Sequence, residues 1–244
     1  LMSSARLQAE NLWGVVPADY DRDGRVDLYL TYADAKRGVS GKVQPFIKAE
    51  NDGSPNVLLR NLGDFKFADA TAQAGVSGGN RISFAAAWFD ANNYRWPDLY
   101  VVNDFSDNVF FINQGDGTFV DRTRTSGLTD QGTSMGLGVG DFNGDGRPDL
   151  YVSNMFSGAG QRVLANTGSK WYTPEVFKAL IGANRGNTLY ENIGKGRFQV
   201  VKSDIINRVG WAYAGLFLDI DNNGWEDLYA PAGYISHTRK EADC

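Results

Sequence analysis

Four short runs of oxygen-bearing side chains have the spacing that a hard cation requires. Asp141, Asn143, Asp145 and Asp149 occupy positions one, three, five and nine of a loop, with Gly146 at position six. Asp19, Asp21, Asp23, Gly24 and Asp27 repeat the pattern with carboxylates throughout, and Asp219, Asp221, Asn223, Gly224 and Asp227 repeat it with one Asn. A worn copy keeps Asp90, Asn92 and Asp98 but has Tyr94 and Arg95 at positions five and six. Alternating oxygen ligands, followed by a glycine that lets the backbone reverse, are the donor set of calcium. The pattern is not an EF-hand. That loop needs a carboxylate at position twelve, where this chain has Leu30, Val152 or Ala230.

Each loop runs into a short apolar stretch: Leu28-Tyr29-Leu30, Leu99-Tyr100-Val101-Val102, Leu150-Tyr151-Val152 and Leu228-Tyr229-Ala230. Aromatic and β-branched residues in the middle two suit strands, so each loop is expected to join two strands of a hairpin. A second motif follows the first three loops. It starts at Asn56, Asn108 and Asn187, continues with Asn61, Asn113 and Asn192, turns at Gly63, Gly115 and Gly194, and resumes at Phe67, Phe119 and Phe198. That is a second hairpin.

The first aspartates of successive loops are 71, 51 and 78 residues apart. Setting aside 19 additional residues in the first unit and 28 in the third leaves periods of 52, 51 and 50. Two hairpins in about 50 residues make one blade of a β-propeller. The fold class expected is therefore all-β: a propeller or partial propeller of four-stranded antiparallel blades. The units fall at about 11–76, 80–128 and 132–205, with an incomplete one at 208–244. Insertions occupy 31–55, a polar loop, and 155–186. In the second, Thr173 as N-cap and Pro174 at the first helical position predict a helix over 174–181, with Val176, Phe177 and Leu180 on its apolar side.

The loop followed by D-L-Y-V and then N-x-L-Y-x-N-x-G-x-G-x-F resembles the FG-GAP/VCBS repeats of integrin α-like propellers. It is most similar to the ASPIC/UnbV type, the group that includes the cartilage acidic proteins. The resemblance spans roughly residues 11–230. It implies that calcium is held by side chains at positions one, three, five and nine and by the main-chain carbonyl at position seven, here Arg25, Trp96, Arg147 and Trp225. Three calcium sites are expected, in loops 1, 3 and 4, with loop 2 in question. Related repeats also occur in polysaccharide-processing enzymes, so a lyase or dehydratase domain is the alternative to a calcium-binding interaction, adhesion or scaffold module.

Composition narrows these classes. Net charge is −5, and three divalent ions would bring it to +1, so the acidity is largely that of the ligands. No Lys/Arg cluster argues for nucleic acid. No apolar run approaches the roughly 20 residues of a membrane-spanning helix. His237 and Cys244 are the single histidine and cysteine, which leaves no convincing catalytic constellation and no intrachain disulfide. Loops of this carboxylate count suit the millimolar calcium outside cells, so an exported protein, extracellular or periplasmic, is expected. Trp13, Trp88 and Trp211 precede loops and are expected to pack between blades, whereas Trp96 and Trp225 lie within loops, where a glycan is an alternative ligand. Residues 1–10 and 237–244 lack the second-hairpin motif. Three and a half blades leave sheet edges unpaired, so the chain is expected to be part of a longer polypeptide or to pack against a protein partner.

Overall fold

The computed structural model describes residues 11–33, 53–167, 170 and 172–233. Alternating polarity and the two hairpin signals of each repeat produce four antiparallel strands. In blade 1 these are β1 (Leu12–Ala18), β2 (Asp27–Tyr32), β3 (Val57–Gly63) and β4 (Lys66–Asp69), hydrogen-bonded in that order. Blade 2 contains β5 (Ile82–Phe89), β6 (Asp98–Asp107), β7 (Val109–Asn113) and β8 (Phe119–Asp121). Blade 3 contains β9 (Gln131–Gly140), β10 (Asp149–Asn154), β11 (Thr188–Asn192) and β12 (Phe198–Val201). Only β13 (Leu216–Leu218) and β14 (Asp227–Tyr229) of the last unit are described, and they pair antiparallel. The expected ends of the chain and most of the first insertion lie outside the described residues.

Blades stack face to face because the second strand of each alternates between two neighbours. Leu99 and Val101 of β6 bury with Tyr29, Leu58 and Val76 of blade 1. Tyr100 and Val102, pointing the other way, bury with Leu150, Val152 and Tyr190 of blade 3. Phe89, Phe110 and Phe198 meet in this second seam at centroid distances of 5.9–6.3 Å. Asparagines stitch the same seams: Asn56 Nδ2 donates to Ser83 Oγ (2.9 Å) and Asn108 Nδ2 to Ser134 Oγ (3.0 Å). Each serine stands seven residues before a loop's first aspartate. In the last unit that position is Ala212, and the buried Asn187 Nδ2 has no partner.

Two features depart from separate, uniform blades. The extended end of β6 pairs with β9 (Asp104↔Thr133, Asp107↔Gln131), which fuses blades 2 and 3 into one eight-stranded sheet. In the seam between blades 3 and 4, where Tyr151, Leu189 and Phe217 bury together, β9 comes into close backbone contact with the last unit. A Cβ added to Gly136, Gly138 or Gly140 of β9 would lie 2.3 Å from the Tyr213 carbonyl, 2.5 Å from that of Gly215 and 2.4 Å from Phe217 Cβ, respectively.

The helix expected in the second insertion is present as α3 (Pro174–Ala183), with α1 (Thr71–Ala74) and α2 (Gly158–Thr167) before it. Thr173 is extended (φ −65°, ψ 155°) and its side chain accepts the Val176 N–H. Val176, Phe177 and Leu180 are half-buried, and α3 packs on β9. It runs two residues beyond the expected end, because Gly182 is helical and the Asn184 N–H caps Gly182 and Leu180 carbonyls. The ten-residue α2 is not expected from sequence; Ser157 caps it, its Oγ accepting the Gly160 N–H (2.9 Å), and its buried residue is Leu164.

Candidate metal centres

Each acidic loop joins the first strand of a blade to the second, so all four lie at the same end of their hairpins. The turn is the same each time. Position four has positive φ in every copy: Arg22 57°, Asn93 65°, Gly144 68° and Asn222 58°. Position six does too, at 84°, 79° and 88° for Gly24, Gly146 and Gly224, the region that favours glycine. Arg95 adopts it at 65° in the worn loop, so that copy keeps the fold without its glycine.

Backbone N–H groups hold the carboxylates. Asp19 accepts from Asp23 (3.0 Å) and Gly24 (2.9 Å), Asp141 from Asp145 (2.9 Å) and Gly146 (2.7 Å), and Asp219 from Asn223 (3.0 Å) and Gly224 (2.8 Å). Asp90 accepts from Tyr94 and Arg95. The ninth residue ties the loop to the second hairpin: the Asn61, Asn113 and Asn192 N–H groups donate to Asp27, Asp98 and Asp149 at 2.7, 2.9 and 2.7 Å. These three aspartates are buried, and burial pushes their carboxyls up to about 6, 7 and 6.

Carboxylate oxygens converge within 4.8 Å in two groups among the described residues, Asp19–Asp21–Asp27 and Asp219–Asp221–Asp227. An all-oxygen, anionic donor set of this kind fits calcium. Asp23 stays outside its group, and Asp145 is turned onto Arg147. Asn92, Asn143 and Asn223 each accept the N–H two residues on, the local fold that Asx side chains favour. At position seven, the Arg25 and Arg147 side chains reach the Asn61 and Asn192 carbonyls at 2.9 and 2.7 Å.

The loops are also linked to one another. Asn113 Nδ2 donates to the Tyr20 carbonyl of loop 1 (2.9 Å), and Asn192 Nδ2 to the Ala91 carbonyl of loop 2 (3.0 Å). The Asp141 N–H of loop 3 donates to Glu226 of loop 4 (2.6 Å). Trp96 sits 5.3 Å from the Arg22 guanidinium, and Trp225, 59% exposed, lies over Gly144. Trp88 fills the first seam, 5.9 Å from Phe119, as expected. Trp13 of β1 meets Phe84 of β5 edge-on at 4.8 Å, so it contacts the neighbouring blade as expected, but it is 60% exposed and not buried there.

Stacked four-stranded blades with an acidic loop on each first hairpin define an FG-GAP-type propeller repeat. The FG-GAP-like repeat model matches residues 90–152 and 173–230, and the FG-GAP repeat model matches residues 135–171. The chain belongs to the FG-GAP-repeat proteins. Among curated relatives it is similar to cartilage acidic protein 1 of Homo sapiens, 32% identical over 145 residues, and of Mus musculus, 26% identical over 258 residues. These matches cover 57% and 90% of this chain but 20% and 38% of the relatives, so the chain spans well under half of their length. One solved structure bears a looser likeness. It concerns recognition of non-reducing terminal N-acetylglucosamine by an Agrocybe aegerita lectin, at 18% identity and TM-score 0.46, covering 90% of this chain and 46% of that one. No helix among the described residues is long and apolar enough to cross a membrane.

Proposed function

We propose that this chain is a calcium-stabilised propeller module that works outside the cell, extracellular or periplasmic, as an interaction, adhesion or scaffold surface and not as a catalyst. The observation that carries the reading is the convergence of Asp19, Asp21 and Asp27, and of Asp219, Asp221 and Asp227, within 4.8 Å on preformed turns. Clustered carboxylates repel one another, and a bound divalent cation removes that repulsion while favouring the folded state. Loops 1, 3 and 4 are the proposed calcium sites. Loop 2 offers Asp90, Asn92 and Asp98 but has Tyr94 at position five and Arg95 beside it, so it is the weakest. The units near 11–76, 80–128, 132–205 and 208–244 form one propeller section, whose partner is a protein or the remainder of a longer chain.

Thermal unfolding tests the central point. A chelator is expected to lower the melting temperature. Calcium is expected to restore it better than magnesium, which demands tighter octahedral geometry and gives up water reluctantly. Superimposable melting curves with and without chelator would overturn the reading.

A further inference from the structure

Blade 1 differs from its repeats at one position of the second hairpin. The residue before the second motif asparagine is Arg60 in blade 1, Ile112 in blade 2 and Glu191 in blade 3. From β3, Arg60 turns its guanidinium onto loop 1. Its Nε lies 2.6 Å from Asp21 Oδ2, and a terminal nitrogen lies 3.1 Å from Asp23 Oδ2. Arg25 pairs with the same Asp23 oxygen from within the loop. Asp23 is also the one carboxylate of loop 1 that stays outside the converging group. Loop 4 has the same spacing but Asn223 at position five and Trp225 at position seven. Among the described residues, no ion pair reaches Asp219, Asp221 or Asp227.

We propose that Arg60 is a tethered counter-cation that sets the calcium affinity of loop 1. It holds the affinity below what four carboxylates would give and keeps the loop folded when calcium is absent. This rests on the calcium reading of the loops. The physical basis is competition for one charge cluster. Ligand charge tunes affinity in loops of this kind, and a cation paired with two of the four carboxylates cancels part of that charge. An incoming ion must share Asp21 and Asp23 with the guanidinium or displace it. A planar guanidinium suits the role, since it stays charged and can contact two carboxylates at once. Loop 1, richest in carboxylates, is thereby made less calcium-hungry than its composition suggests, whereas no cation among the described residues pairs with the three acids of loop 4.

The test uses the full chain, loaded with calcium and titrated with a competing chelator, so a variant that unfolds when stripped still reports its affinity. Asp19→Asn identifies the loop 1 site as the one it removes. Arg60→Ile, which installs the blade 2 residue, is expected to tighten that site by about three- to tenfold. It is also expected to lower the melting temperature of the chelated protein more than that of the loaded one. Arg60→Lys keeps the charge and is expected to leave the affinity near wild type. An Arg60→Ile protein that binds calcium at the Asp19-dependent site no more tightly than wild type would overturn the proposal. Equal tightening by Arg60→Lys would do the same, because charge would not be the cause. Wild-type protein that takes up no calcium is a separate result, and it overturns the calcium reading itself.

Discussion

Loops 1 and 4 share spacing, turn geometry and a trio of converging carboxylates, yet they are supported in opposite ways. In loop 1 the ninth residue, Asp27, is buried and accepts two backbone N–H groups, from Tyr20 and from Asn61 of the neighbouring hairpin. Arg25 and Arg60 offset the charge of Asp21 and Asp23 in the same loop. In loop 4, Asp227 is only half-buried and accepts from Ile220, and no arginine faces the acids among the described residues. Among the described residues, neighbouring groups counterbalance the acids of one loop and bury its ninth residue, and they do neither in the other. Identical acidic residues therefore do not imply identical loops, because the second hairpin and the neighbouring blade decide how much of the order the fold itself supplies.

The largest expected effect comes from removing that support. Asn192→Ala strips the Nδ2 bonds to the Ala91 and Pro148 carbonyls and the acceptor for the Gly194 N–H, all at a fully buried position. Denaturant unfolding is expected to show a loss of about 3 kcal/mol. Asn61→Ala gives up the Val26 carbonyl and the Gly63 N–H but no cross-blade contact, and about 1 kcal/mol is expected. Equal losses would break the link between blade contacts and loop order.

The ninth residues give a smaller difference. In calcium-free protein, Asp27→Ala leaves two N–H groups unmatched, one of them in the hairpin, for about 2 kcal/mol, whereas Asp227→Ala is expected to cost about 0.5 kcal/mol. A reversed order would mean that loop 4 is the preformed one.

The subtlest effect is on pH dependence. Burial raises Asp27 to about 6, so the folded protein keeps that proton to higher pH than the unfolded chain. In calcium-free protein its contribution to stability is then fully present below the ordinary carboxylate value and is lost as pH rises from about 4 to about 6. Asp130, buried between blades 2 and 3 against Asn154, Thr188, Tyr190 and Arg185, is raised by burial and contributes with the same sign. Asp130→Asn is expected to flatten part of the slope in a pH series of melting curves. The slope that remains is shared by Asp107 of β6 and the loop residues Asp27, Asp98 and Asp149, all raised by burial, and Asp27→Asn should reduce it further.

Much of this was legible in the sequence. The loops, both hairpins of the first three units and α3 follow from local signals: alternating oxygens with a glycine, Asn-to-Gly spacing, and Thr173-Pro174. What was not legible depends on distant partners. The pairing of Asp104–Asp107 with Gln131–Thr133 joins strands whose local patterns give no hint of it. The helix α2 opens on a Ser157 cap, but Gly158 and Gly160 stand in its first turn, where helix propensity is lowest, so its run does not read as a start. Arg60 was within reach of an aligned repeat, as the one cation where the other blades have Ile112 and Glu191. Its role still required knowing that β3 lies beside loop 1.

The glycines of β9 have a consequence for mutational tolerance. Exchanging glycine for alanine is ordinarily among the mildest changes a chain can undergo, and at a compatible site it even stabilises by limiting the unfolded ensemble. Along Gly136, Gly138 and Gly140 the added methyl would overlap a backbone carbonyl or Phe217, atoms that cannot rotate out of the way as a flexible side chain can. Larger residues elsewhere in the seams have rotamers with which to adapt. These three positions have none, so even a methyl group is already too large, and the residues that look most dispensable are the ones this close contact between blades 3 and 4 can least replace.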